Sequence, residues 1–258
     1  MPYLPGHTEN VWRNVWTKEV SPTIRGAFSH RLFIEGYKKF HAFSPMGTKK
    51  ILEVGTGSGR YGVKLAEDFP HAQITAVDFL DESLAVAEAL AKAVKVSNIF
   101  FQNEKVEALS FPEASFDVVI SDALIQHVAD DQQAIREVAR VLRPGGTLLL
   151  SSVNALSVHA FLRFVAENIF RNKYKYGFER LYTRKAFFRL AKNAGLEVVV
   201  VSGFYPAYGI YRLKEYWGGF APIGRALNRF TRILDSLTGD FFSSHFGFML
   251  FLVAKKPL

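Results

Sequence analysis

The sequence contains no cysteine. Disulfides, thiolate metal ligands and a cysteine nucleophile are therefore excluded, and the composition fits a reducing compartment. Long apolar runs are missing as well. The longest clean ones, such as residues 248–254, fall far short of the roughly 20 residues a membrane-spanning helix needs. The stretch from Met1 to His7 lacks the basic-then-apolar layout of a secretory signal. A soluble, cytoplasmic protein is expected. No group of His, Asp or Glu has metal-ligand spacing, so no metal is expected either. Acidic residues run short in one part only. Residues 155–258 carry 16 Lys and Arg against 6 Asp and Glu, whereas residues 1–154 carry 16 against 18. The same C-terminal part holds 22 of the 37 aromatic residues. A solvated basic face over an aromatic core explains this, and so does a surface for an anionic or amphiphilic partner.

What is present is organised around one stretch. Ile51 to Val54 reads as a short buried strand, after which Gly55, Gly57 and Gly59 alternate with small polar residues. Tyr61 to Phe69 then continues with helical periodicity. A strand that turns through glycines into a helix lets a ligand approach bare backbone and aims free N–H groups at it. Asp78 ends the next strand-like run, Gln73 to Val77, where a carboxylate can take the two hydroxyls of a ribose. A dinucleotide fingerprint wants glycine at its first, third and sixth positions, and the sixth here is Arg60. The pattern is G-x-G-x-G preceded by Glu53. On these residues the sequence resembles the class I S-adenosylmethionine-dependent methyltransferases.

At 258 residues and 49% hydrophobic content, the chain can bury one substantial core. From Lys50 to Val153 strands and helices alternate, which implies a parallel sheet with right-handed crossovers. The strands read as 51–54, 73–77, 98–102, 116–121 and 146–152, and the helices as 60–69, 82–94 and 130–142. Arg143-Pro-Gly-Gly-Thr147 reads as the turn into the fifth strand. The resemblance covers this region: Leu109 to Ser121 looks like the family's fourth-strand segment, and Val138 to Gly146 like its approach to the fifth. One departure concerns the acidic and small residues that relatives often carry at the adenine end. Here they are Lys105 and Val106, so Glu104, Asn103 or a backbone group would take that contact.

Around this middle lie less regular parts. Trp12 and Trp16 would share one helix face, and Ile24, Phe28, Leu32, Phe33 and Phe40 indicate a second amphipathic helix. Residues 155–171 read as a helix with Val158, Phe161, Leu162, Val165 and Ile169 on one face. Residues 172–180 are basic and aromatic without a period. Thr183 can cap a helix running to Ala194, followed by a strand at 196–202. In a long insertion, Ile223, Leu227, Phe230, Leu234 and Leu237 form a stripe opposite Arg225, Arg229 and Arg232. Such a helix would seat its stripe on the domain as a lid, or at a lipid surface as a peripheral contact. The expected organisation is a helical cap at 1–48 and a methyltransferase domain at 49–258. Lid insertions are expected at about 155–180 and 203–245. The expected fold is a Rossmann-like, doubly wound α/β sheet, mostly parallel and seven-stranded, with an antiparallel last strand.

The resemblance implies S-adenosyl-L-methionine as cofactor. It implies a binding set of Glu53, Gly55, Thr56, Gly57, Gly59, Asp78, Phe79, Glu104 and Ser121, with the methionyl end on Glu53, Gly55 and Gly57 and the ribose on Asp78. The substrate of such enzymes enters after the fourth strand, here Ser121 to His127. Histidine's unperturbed pKa, near ~6.5, makes His127 the one residue there suited to a general base, although packing or capping of the next helix also explains a histidine there. Asp122 could orient a substrate hydroxyl or simply end its strand. The Asn/Asp-Pro-Pro-aromatic signature of base-amine methylation is absent, so nucleic acid is not the expected acceptor. A small or lipid-like molecule is. A nicotinamide-dependent oxidoreductase and a non-catalytic binding or scaffold module are the rival readings. The pattern specifies no oligomeric state.

Overall fold

A computed structural model of the chain describes residues 5–19, 27–28, 30–44, 47–169, 177–205, 226, 230, 233, 236–239 and 241–258. Its centre is a seven-stranded sheet ordered β3-β2-β1-β4-β5-β7-β6. The strands are β1 (Lys50–Val54), β2 (Gln73–Asp78), β3 (Ile99–Asn103), β4 (Phe116–Ser121), β5 (Leu142–Val153), β6 (Glu197–Phe204) and β7 (Met249–Lys255). Strands β1 to β5 pair in parallel, while β7 runs antiparallel to both β5 and β6. The seven strands and the antiparallel last one are as the sequence pattern implies. Ile51, Leu52 and Val54 are fully buried, as are Val118, Val119 and Ile120. These central strands read as nearly unbroken apolar runs because helices cover both their faces.

The covering helices are α1 (Pro5–Asn14), α2 (Arg31–Ala42), α3 (Arg60–Asp68), α4 (Asp81–Val94), α5 (Asp131–Val141), α6 (Val158–Asn168), α7 (Arg184–Asn193) and α8 (Phe241–Phe246). A π-helical turn, Val15–Glu19, continues α1. Among the described residues, three helix starts carry side-chain caps. Asp130 accepts from the Gln133 amide at 2.8 Å, Ser157 from Ala160 at 3.1 Å, and Thr183 from Ala186 at 3.2 Å. Phe33 and Phe40 turn the inner face of α2 into one core layer with Tyr61 and Phe251.

Two elements differ from the sequence reading. The apolar face read on residues 155–171 is not the buried one. Helix α6 buries His159, Ala160, Arg163 and Ala166, and leaves Phe161, Phe164 and Ile169 exposed. Arg163 is drawn inward by Glu179, with which it pairs, and His159 packs edge-on against Phe248 at 5.0 Å. A buried ion pair and an aromatic contact set the rotation of this helix, and hydropathy alone does not register either. Strand β5 also starts earlier, at Leu142. Residues 142–147 face only 116–118, so the Pro-Gly-Gly turn becomes a bulge inside the ladder, with Gly145 at φ +74°. Of the stripe read in the long insertion, Ile223, Leu227, Leu234, Arg225, Arg229 and Arg232 lie outside the described residues. Phe230 and Leu237 are exposed.

The strand order reverses at β1, which has β2 on one side and β4 on the other. Ligands of open α/β sheets bind at the carboxyl ends of the strands beside such a reversal. The fold therefore gathers the glycine turn after β1, the end of β2 and the segment after β4 at one edge.

Candidate functional site

A cavity of about 510 Å³ opens at that edge. Its wall includes Glu53, Gly55, Thr56 and Gly57 from the first turn, and Asp78 and Phe79 from the second. Glu104 comes from the end of β3, and Asp122, Leu124 and His127 from the segment after β4. Gly59 and Ser121 are not in the wall. A Cβ on Gly59 would come 2.7 Å from that of Ala87, so this glycine lets α3 pack against α4. Ser121 is buried at the end of β4.

The glycine turn and the end of β2 are locked together. The Gly55 and Thr56 amides donate to the Val77 carbonyl at 2.8 and 3.0 Å. Asp78 Oδ2 accepts the Gly57 amide at 2.9 Å, and Oδ1 accepts the Leu80 amide at 3.2 Å. Burial pushes the Asp78 carboxyl upward, and these backbone donors partly offset it. Glu53 is 2% exposed, and its Oε2 receives both the Thr56 hydroxyl at 2.6 Å and the Gly62 amide at 3.0 Å. Burial lifts its pKa to about 8 against those two donors, with the negative charges of Asp122 and Asp78 adding to the lift. Asp122 is raised too, again by burial first, while hydrogen bonds from Ser151 and Tyr61 and the nearby Arg60 hold it back. Ser151 also receives the Ala123 amide at 3.1 Å, which fixes the carboxylate's seat.

The residues expected at an adenine end part company. Glu104 lines the cavity, and its carboxylate is held by Gln102 at 2.6 Å and by the backbone and hydroxyl of Ser110. Asn103 turns away to Asp81 at 2.5 Å. Lys105 and Val106 both reach the wall.

His127 ends a short 3₁₀ turn and is anchored on both sides. Nδ1 lies 2.7 Å from the Phe178 carbonyl, which can only accept, so Nδ1 carries a proton. Nε2 lies 3.9 Å from Glu179 Oε1, and Glu179 in turn pairs with Arg163. The ring meets the Trp12 indole edge-on at 4.8 Å.

Helix α1 and its π-turn add Thr8, Glu9, Trp12 and Trp16 to the wall. The two indoles stack at 6.4 Å. Arg13 clips this segment down, 3.0 Å from Glu9 and 2.7 Å from Glu82 at the start of α4. Thr8, Trp12 and Trp16 recur at steps of four, so a single stripe in the sequence marks their shared face. Glu179 and Arg163 carried no such signal, because one sits in an aperiodic stretch and the other looked like the polar side of a helix.

A methyltransferase-domain family model matches residues 47–192. The malonyl-[acyl-carrier protein] O-methyltransferase of a Paenibacillus species is 33% identical over 162 residues, covering 62% of this chain and 56% of that protein. The demethylmenaquinone methyltransferase of Deinococcus radiodurans is 36% identical over 102 residues, covering 40% of this chain and 42% of that protein. The chain thus spans about half the length of these curated relatives. Among solved structures, Haemonchus contortus phosphoethanolamine N-methyltransferase 2 in complex with S-adenosyl-L-methionine superposes with a TM-score of 0.65 at 20% identity. That match covers 96% of this chain and 60% of that one, and it speaks to the fold alone.

Proposed function

The chain belongs to the class I S-adenosylmethionine-dependent methyltransferase family, and we propose that it methylates a small or lipid-like acceptor in the cavity at the β1–β4 edge. One observation carries this reading. The two carboxylates suited to the cofactor, Glu53 and Asp78, share a single cavity with the two side chains suited to the acceptor, Asp122 and His127. The donor set fits S-adenosyl-L-methionine. Carboxylates suit its ammonium and ribose hydroxyls, and Gly55 and Gly57 bring bare backbone to the cavity wall. Bound there, the cofactor supplies a sulfonium methyl already activated for displacement.

The protein's own task is then to hold, orient and exclude water. Glu53 would hold the methionyl ammonium and Asp78 the ribose, with Gly55, Thr56 and Phe79 completing the cradle. Glu104 would sit at the adenine end. Asp122, fixed by Ser151, would orient the acceptor. His127 would take the acceptor's proton at Nε2, because Nδ1–H is committed to Phe178. The Glu179 carboxylate at 3.9 Å would then offset the positive charge that the proton brings. We assign the N-terminal segment the role of a cap, with Trp12 and Trp16 shielding the site. The curated relatives are named for malonyl-[acyl-carrier protein] and demethylmenaquinone, which makes acyl-carrier-linked and quinone-type molecules candidate acceptors here. Peripheral contact with a lipid surface is a further proposal, supported by exposed Phe161, Phe164 and Ile169 and by the basic C-terminal part. Sedimentation with anionic vesicles tests it, and no salt-sensitive binding would end it.

Release of S-adenosylhomocysteine across a panel of hydroxyl, amine and carboxylate acceptors tests the reading itself. Turnover with at least one class should fall sharply in His127→Ala while cofactor affinity holds. A panel with no turnover at all would count against catalysis, and unchanged turnover in His127→Ala would return that residue to a packing role.

A further inference from the structure

Helix α1 brings to the cavity wall one residue, Thr8, with a buried polar atom that the fold itself does not use. Thr8 is 4% exposed and lines the wall, and its hydroxyl has no hydrogen-bond partner among the described residues. Buried hydroxyls are nearly always paired, and an apolar residue of the same shape would serve packing better. The atom therefore points to a ligand. One turn further on stands Trp12, whose indole touches His127, and one turn beyond that stands Trp16. A molecule bonded to Thr8 would lie along two stacked indoles beside the imidazole.

The charge of the wall narrows the class. Six carboxyl groups line the cavity (Glu9, Glu53, Asp78, Glu104, Glu107 and Asp122) against two fixed cations, Lys105 and Arg60; Glu53 holds a proton at neutral pH, and Arg60 lies near Asp122. With Glu53 and Asp78 assigned to the cofactor, Glu9 on α1 and Asp122 after β4 still face whatever shares the site. Arg13 neutralises Glu9 only in part, since it is divided between Glu9 and Glu82. A bound anion would be repelled by these carboxylates at short range, while a neutral or positive group would not.

We infer that α1 builds the acceptor subsite, which takes a flat, neutral or cationic molecule with a hydroxyl or amino group on Thr8 Oγ and turns away carboxylates and phosphates. The inference rests on the methyltransferase reading and deepens it. It favours hydroxyl or amine acceptors over free acids.

The test uses the full chain saturated with S-adenosylhomocysteine and five probes sharing one ring: phenol, benzylamine, benzoate, phenyl phosphate and toluene. Affinities come from ligand-observed NMR titrations of wild type, Thr8→Val and Thr8→Ser. Phenol and benzylamine should bind at least about tenfold more tightly than benzoate and phenyl phosphate. Thr8→Val should weaken phenol by roughly five- to tenfold and leave toluene unchanged, and Thr8→Ser should restore phenol. Benzoate binding as tightly as phenol, or phenol indifferent to Thr8→Val, would overturn the subsite. Binding of S-adenosylhomocysteine is read separately. A chain that takes it and fails the probe pattern loses only this inference, whereas a chain that never takes it loses the methyltransferase reading and the subsite together.

Discussion

The Trp16 indole lies against the α-carbon of Gly57: a Cβ built on that glycine would sit 2.8 Å from two ring atoms. Gly57 also holds φ +53°, where an L side chain costs about 1–2 kcal/mol. Gly57→Ala should therefore lower Tm by roughly 2–8 °C and shift tryptophan emission as the indole moves. It should also weaken binding of S-adenosylhomocysteine. Thermal unfolding and emission spectra check this, and a variant matching wild type in both would contradict the contact.

Asp78 serves two masters. Its oxygens hold the Gly57 and Leu80 amides, and we assign it the ribose as well. Asp78→Ala should cost about 1–3 kcal/mol in cofactor binding, the range for leaving buried partners unsatisfied, and should lower Tm too. Calorimetry and thermal unfolding separate the two effects. Affinity unchanged within error would remove Asp78 from the ribose site.

Glu53 predicts an unusual pH slope. Its pKa is about 8 in the folded chain against the ordinary 4.5, so between those values the folded state holds a proton that the unfolded state has lost. The contribution to stability is complete below about pH 4.5 and disappears as pH rises toward 8. Glu53→Gln should flatten the fall of Tm across that window. In wild type, binding of a cationic ligand near pH 7 should release protons, seen as a buffer-dependent heat. A Tm profile identical in Glu53→Gln would show that Glu53 is not the group responsible.

The clip on the proposed cap is half-exposed on both sides, so its strength should be modest and salt-sensitive. Arg13→Ala should speed protease cleavage within residues 5–19 while leaving the Tm of the remaining fold in place. Cleavage no faster than wild type would mean that packing of Trp12 and Trp16, rather than Arg13, holds the segment.

The parallel half of the fold was legible because its signals are local. A buried run, then Gly55-Thr-Gly57, then a helix states strand, turn and helix within a few residues, and Asp78 closes the next strand. Thr183 announced its helix through capping chemistry in the same way. The acceptor side was not legible. His127 was visible as a titratable residue, but its anchors, Phe178 and Glu179, lie some 50 positions along the chain and follow no period. The rotation of α6 was missed for a related reason. An inward Arg163 wins by pairing with Glu179, and hydropathy assigns arginine to the solvent side. Trp12 and Trp16 were seen as one face, yet nothing in the sequence said that the face would meet Gly57.

Cofactor binding is the central claim. Calorimetric titration of the chain with S-adenosylhomocysteine tests it most directly, run beside NAD and the Gly57→Ala variant. One site per chain for S-adenosylhomocysteine, weakened in the variant, and no heat from NAD are expected. Absence of S-adenosylhomocysteine binding in the folded wild-type chain, or saturable binding of NAD in its place, would contradict it.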